Sequence, residues 1–157
     1  MRVPFLILAC LIAAAPARAD CAHFKWSVET ERQAFASATP MPAEGGTAEV
    51  GKAYALTLSK DVKLPLEPER PPRKDAFAGF VNVPKLEAGL YQVTLSGEAW
   101  IDVAQNGARV KSRGFTGQRD CPGVRKSVRF PLGPGPAVIQ ISNASAPQII
   151  FAISPAK

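Results

Sequence analysis

The sequence predicts an all-β domain, an antiparallel β-sandwich or jelly roll of eight or nine short strands with one short N-terminal helix. Three observations predict it. Apolar and polar residues alternate over short segments, the period that sends every second side chain to one face of a sheet. Turn-forming residues separate those segments at regular spacing. Only one stretch has helix-forming composition.

Phe24, Trp26 and Val28 alternate with His23, Lys25 and Ser27, which suits a short strand. Glu29 to Ala36 is the helical stretch, with Ser27 or Thr30 as candidate N-cap. Ala38 to Gly46 reads as a loop by composition. Tyr54, Leu56 and Leu58 mark a half-buried strand, and Val62, Leu64 and Leu66 continue its period. Glu67 to Asp75 (EPERPPRKD) is rich in proline, which lacks the N–H a ladder needs, so it is expected as a surface loop.

Strand signals then follow at Phe77–Val83, Leu90–Leu95, Ala99–Gln105, Ala108–Arg113, Val124–Leu132, Ala137–Ser142 and Gln148–Ser154. Asn106-Gly107 is a two-residue hairpin signal, because both central positions of a type I′ turn need positive φ. Gly133 to Pro136 is a second turn. Alternation assigns the inward side chains: Tyr91, Val93 and Leu95; Ile101 and Val103; Val128 and Phe130; Ile139 and Ile141; Phe151 and Ile153. One inward set per strand is what two stacked sheets require.

Residues 1–19 read as a signal peptide. Arg2 supplies the positive end, Phe5 to Ala15 the apolar run, and Ala17-Arg18-Ala19 the small-x-small cleavage pattern. A lipoprotein reading through Cys10 places that cysteine too early, inside the apolar run. Cleavage after Ala19 leaves residues 20–157 as a single domain, periplasmic or secreted, with no further apolar segment long enough to span a membrane. Of three cysteines, Cys21 and Cys121 remain, and an oxidising compartment favours their disulfide over two free buried thiols.

The sequence points away from most catalytic chemistry. Its single histidine, His23, cannot supply the two or three imidazoles that catalytic zinc or mononuclear iron sites commonly use. No glycine-rich phosphate loop opens a helix, and no nucleophile elbow occurs. Glu98, Asp102 and Asp120 are the nearest candidates for paired carboxylates, and their spacing fits ordinary surface acids. No catalytic residue, metal ligand or cofactor is expected.

One constellation rises above background. Arg109, Lys111, Arg113, Arg119, Arg125, Lys126 and Arg129 fall within 21 residues, against Asp120 alone. Arg109, Lys111 and Arg113 share one strand face by their spacing of two, and Arg125 and Arg129 lie opposite Val124, Val128 and Phe130. Were both strands in one sheet, these cations would form an outer-face patch that attracts anions. The alternative is the solvated face of an antiparallel sheet. Trp100 points outward beside Asp102, either as a sugar-stacking platform or packed under the Pro-rich loop or the helix.

Two resemblances follow from these residues. Phe77-Ala78-Gly79-Phe80-Val81, Gly89-Leu90-Tyr91, Ile101-Asp102-Val103 and the Asn106-Gly107 hairpin resemble lectin-like and pre-peptidase-type β-sandwich modules. Ser96-Gly97-Glu98 replaces the paired aspartates of their calcium-binding members. Cys21-Ala22-His23-Phe24-Lys25-Trp26-Ser27-Val28, Tyr91-Gln92-Val93-Thr94-Leu95, Trp100-Ile101-Asp102-Val103 and Asp120-Cys121-Pro122-Gly123-Val124-Arg125-Lys126-Ser127-Val128 resemble a family of small exported proteobacterial proteins. Some members carry the label homogentisate 1,2-dioxygenase. That enzyme holds iron with two histidines and a glutamate, a set one histidine cannot complete.

The expected function is a non-catalytic periplasmic binding or accessory module. Its contact surface would comprise Arg109, Lys111, Arg113, Arg125, Arg129 and Trp100. An acidic glycan or acidic envelope protein is the expected partner. Nucleic acid is not expected, because export argues against it and the cluster holds few aromatics to stack bases. The alternatives are a structural subunit of an envelope complex and a small enzyme using carboxylates or the His23 region.

Overall fold

A computed structural model describes residues 21–157. The expected signal peptide and Cys10 lie outside the described residues. The elements run α1 (Glu29–Phe35), β1 (Thr39–Met41), β2 (Glu44–Thr47), β3 (Ala53–Thr57), β4 (Phe77–Leu86), β5 (Gly89–Leu95), β6 (Trp100–Gln105), β7 (Ala108–Arg109), β8 (Gly114–Gly117), β9 (Lys126–Leu132), β10 (Gly135–Ala144) and β11 (Gln148–Pro155). They form two sheets, ordered β1-β3-β11-β5-β9-β8 and β2-β4-β10-β6-β7. The fold is all-β and sandwich-like, with one short helix among the described residues.

The core lies between the sheets. Val93, Leu95, Val128, Phe130, Phe151 and Ile153 from the first meet Val81, Val83, Ile101, Val103, Ile139 and Ile141 from the second. Every inward residue assigned by alternation belongs to this cluster. Asn106 (φ 54°) and Gly107 (φ 76°) carry the positive φ values the β6–β7 hairpin needs.

Four expectations are corrected. Residues 22–26 form turns and bends rather than a strand, and Trp26 donates its indole N–H to Ser127 Oγ at 3.0 Å. The expected loop at 38–46 holds β1 and β2, which pair in parallel with β3 and β4, so both sheets are mixed. Residues 62–66 alternate in exposure but join no sheet. Pro65 lacks an N–H, and the Leu66 N–H goes to the Gln140 side chain at 3.1 Å. Of the single strand expected at Ala108–Arg113 only Ala108–Arg109 is strand, β7; residues 110–113 cross to the other sheet, where β8 begins at Gly114.

Both outer faces are covered. On the first sheet, α1 and the N-terminal turn pack Val28, Phe35 and Trp26 over Ala53, Ala152 and Val124. Glu31 of α1 is buried there, accepting hydrogen bonds from Gln92 Nε2 at 2.9 Å and from the Ser154 hydroxyl. The Cys21–Cys121 disulfide (S–S 2.06 Å) closes this layer and suits an oxidising, extracytoplasmic compartment. On the second sheet the cover is the strap of residues 65–73. Among the described residues, no helix is long and apolar enough to cross a membrane.

Candidate functional site

The strap has no ladder, so side chains satisfy its backbone. Gln140 takes the Leu66 N–H and donates to the Leu66 carbonyl at 3.0 Å. Asp102 Oδ2 accepts from the Glu69 N–H at 3.2 Å. Asn143 accepts from the Arg73 N–H at 2.7 Å and donates to the Pro71 carbonyl at 3.2 Å. Asn143 reaches the strap because β10 slips register between Ile141 and Ala144, and Asn143 takes φ 56° there. Such a bulge re-aims a side chain.

A cleft opens where the chain changes sheets. β7 stops after two residues, with a last bond from the Val110 N–H to the Val103 carbonyl at 2.8 Å. Residues 110–113 then cross to the first sheet, where β8 pairs with β9. The start of β6 is left without a neighbour on that side, and by antiparallel alternation the backbone groups of Ile101 point to the open edge. Lys126 reaches into the edge and donates to the Ala99 carbonyl at 3.1 Å.

This cleft has a volume of about 1030 Å³ and runs from the strap to the crossover. Arg70, Arg73, Arg109, Lys111, Arg119, Arg125 and Lys126 line it, against three acids, Glu69, Glu98 and Asp102. Two of those acids are engaged. Asp102, 1 % exposed at its side chain, pairs with Arg109 at 3.1 Å and accepts from the Trp100 indole N–H at 3.3 Å. Glu98 pairs with Arg125 at 3.6 Å. Arg109 also donates to the Glu67 carbonyl, tying β7 to the strap. Lys111 and Arg119 are exposed and form no ion pair among the described residues.

Trp100 is half-buried and serves two cations. The Arg70 guanidinium carbon lies 4.1 Å from its ring centroid and Lys126 Nζ 4.9 Å. Burial pushes the Lys126 pKa below its ordinary 10.5, with Arg70 and Arg125 adding repulsion and Glu98 partly opposing them. The unfolded chain therefore binds more protons at this site than the folded one just below pH 10.5. The cost of the buried cation is felt at neutral pH and relieved as pH rises through the folded value. Relative to a Lys126→Met variant, the wild type is expected to gain stability between neutrality and about pH 10.5, read as urea midpoints at several pH values. A pH-independent difference would contradict the burial of a charged amine.

The sequence-derived basic residues do not share one sheet face. Arg109 stands on the second sheet, and Arg125 and Arg129 belong to the β9 side of the first. Arg109, Lys111, Arg125 and Trp100 meet in the cleft; Arg113 and Arg129 do not. Arg129 stacks over Trp26 at 4.3 Å, donates to Gln92 Oε1 at 3.2 Å and to the Lys157 carbonyl at 2.8 Å, so it holds the N-terminal turn. Arg113, the last residue of the crossover, is exposed and does not line the cleft. His23 is exposed, its backbone N–H donating to Gln118 Oε1 at 3.2 Å. Asp120 is exposed beside the disulfide. Arg70 and Arg73 were hidden from sequence reasoning inside a segment that looked like solvent loop; Gln140, Asp102 and Asn143 on the facing strands were the signal that something covers them. No family model matches the chain, and neither a curated protein nor a solved structure matches it.

Proposed function

We propose that the chain is an exported, non-catalytic binding module that takes an anionic ligand in the cleft between strap and crossover. The supporting observation is the charge balance of the lining: seven cations to three acids, with Asp102 and Glu98 already paired. Asp102, Arg109, Arg125 and Lys126 shape the wall through bonds within the protein. Lys111 and Arg119 are left to meet a ligand. Arginine offers a fork that matches carboxylate or phosphate, and lysine a mobile point charge. A concave, cation-lined surface also concentrates anions by its summed potential. The expected signal peptide and the disulfide together support a periplasmic setting.

Charge reversal tests this reading. Each exposed reversal exchanges attraction for repulsion, about 0.5–1 kcal/mol apiece. Lys111→Glu with Arg119→Glu is therefore expected to weaken retention on a phosphate-bearing resin about tenfold or more, at unchanged circular dichroism. Arg113→Glu, outside the cleft, is expected to elute with the wild type. Equal loss in both variants would reduce the cleft to one part of a generally basic surface.

A further inference from the structure

The cleft is not polar throughout. Its floor is built from core residues: Ile101 of β6 and Val128 and Phe130 of β9, which are 5 %, 5 % and 2 % exposed. Val110 lines the crossover wall, and Phe115 of β8 stands at the mouth, 63 % exposed. Among the described residues, Phe115 and Leu90 are the only large hydrophobic side chains classed as exposed, and Phe115 is the more exposed of the two. Lys25 Nζ lies 5.8 Å from its ring centroid, and the largely exposed ring stands beside an opening into the apolar interior that Lys111 and Arg119 also line.

We infer that the ligand is an anionic amphiphile: a phosphate head held by Lys111 and Arg119, and an acyl chain laid over Phe115 toward the gap between β6 and β9. This inference rests on the anion-binding reading and adds the chain. The observations favour it over an acidic glycan. A sugar ring is held well by an open aromatic face and by carboxylates free to accept its hydroxyls, and of the lining acids Glu69 alone forms no ion pair among the described residues. The Trp100 ring already faces Arg70 and Lys126, and Asp102 and Glu98 are engaged by arginines. The floor of Ile101, Val128 and Phe130 offers a sugar no side-chain acceptor, whereas burying methylenes there is favourable at about 0.8 kcal/mol each. The cleft volume, about 1030 Å³, stands at the upper end of small-molecule sites, which run to about 1,000 Å³.

The test is calorimetry on the chain from residue 20 with three probes: dodecyl phosphate below its micelle concentration, tripolyphosphate without a chain, and dodecyl maltoside without a charge. Dodecyl phosphate is expected to bind at least tenfold more tightly than either. Phe115→Ser is expected to cost about tenfold for dodecyl phosphate and to leave tripolyphosphate unchanged. Lys111→Glu with Arg119→Glu is expected to weaken both anions. Leu90→Ser, an exposed apolar site away from the cleft, is expected to change nothing. If tripolyphosphate binds as tightly as dodecyl phosphate, the acyl chain is wrong and the anion site stands. If dodecyl maltoside binds as tightly, or Leu90→Ser costs as much as Phe115→Ser, the binding is unspecific and the inference falls. If neither anion binds, both readings fall together.

Discussion

Replacing Asp102 with alanine is expected to destabilise the protein by about 3 kcal/mol and to release the strap. The Asp102 carboxylate is almost fully buried, and four groups converge on it: the Arg109 guanidinium, the Trp100 indole N–H, the Glu69 backbone N–H and, at 3.5 Å, the Gln140 side-chain amide. Removing one member of a buried pair costs about 3–5 kcal/mol, because the partner is left with an uncompensated charge. Arg109, 35 % exposed, can turn partly to solvent, which sets the expectation at the lower end. The strap has no sheet ladder to fall back on. Its other hydrogen-bonded anchors are Gln140, Asn143 and Arg109, and Arg109 itself loses its ion-pair partner, so loss of Asp102 should loosen residues 66–73. Trypsin cleavage after Arg73 or Lys74 is expected to quicken well before global unfolding. Asp102→Asn keeps an acceptor for Glu69 and is expected to cost less than alanine. Cleavage no faster than in the wild type would mean that the strap is held by its other contacts.

Removing the disulfide is the second large effect. Cys21 and Cys121 are 100 residues apart, and closing a loop of that length is worth about 4.7 kcal/mol in the chain-entropy picture. Native disulfides removed from small secreted domains cost about 2–5 kcal/mol. Here the bond also fastens the turn before α1 to the segment that follows the crossover, where Cys121 and Val124 pack in the outer cluster. Cys21→Ser with Cys121→Ser is therefore expected to lose about 2–5 kcal/mol in urea unfolding, and reductant is expected to bring the wild type to a similar midpoint. A variant within about 1 kcal/mol of the wild type would mean that α1 and its turn stay docked without the bond.

The core was legible because a period of two is a local property. Val93, Val128, Ile139 and Phe151 needed only their own neighbours in sequence to declare a face. What escaped was non-local. β1 and β2 are short and contain Pro40, Gly45 and Gly46, and their parallel partners lie beyond any hairpin signal. The alternation of Arg109, Lys111 and Arg113 is present in the sequence, but a change of sheet after Arg109 breaks the face it seemed to define. By its spacing Asp102 fits an ordinary surface acid, yet it is 2 % exposed, and the outward-facing Gln92 and Gln140 are 3 % and 2 % exposed. Each is buried because α1 or the strap lies over it, and alternation cannot see a covering segment. The cationic character of the site was visible; its shape depended on Arg70 and Arg73 arriving from a segment some forty residues before the basic cluster.

The central claim is that anions enter between strap and crossover rather than spreading over a basic surface. Backbone and indole amide NMR during a tripolyphosphate titration reads this directly. Saturable shifts confined to the Trp100 indole, the amides of Lys111, Gln118 and Arg119, and those of Glu69 to Arg73 are the predicted result. Shifts centred instead on Arg113, Arg129 and Lys157, or linear and scattered over the whole chain, would contradict it.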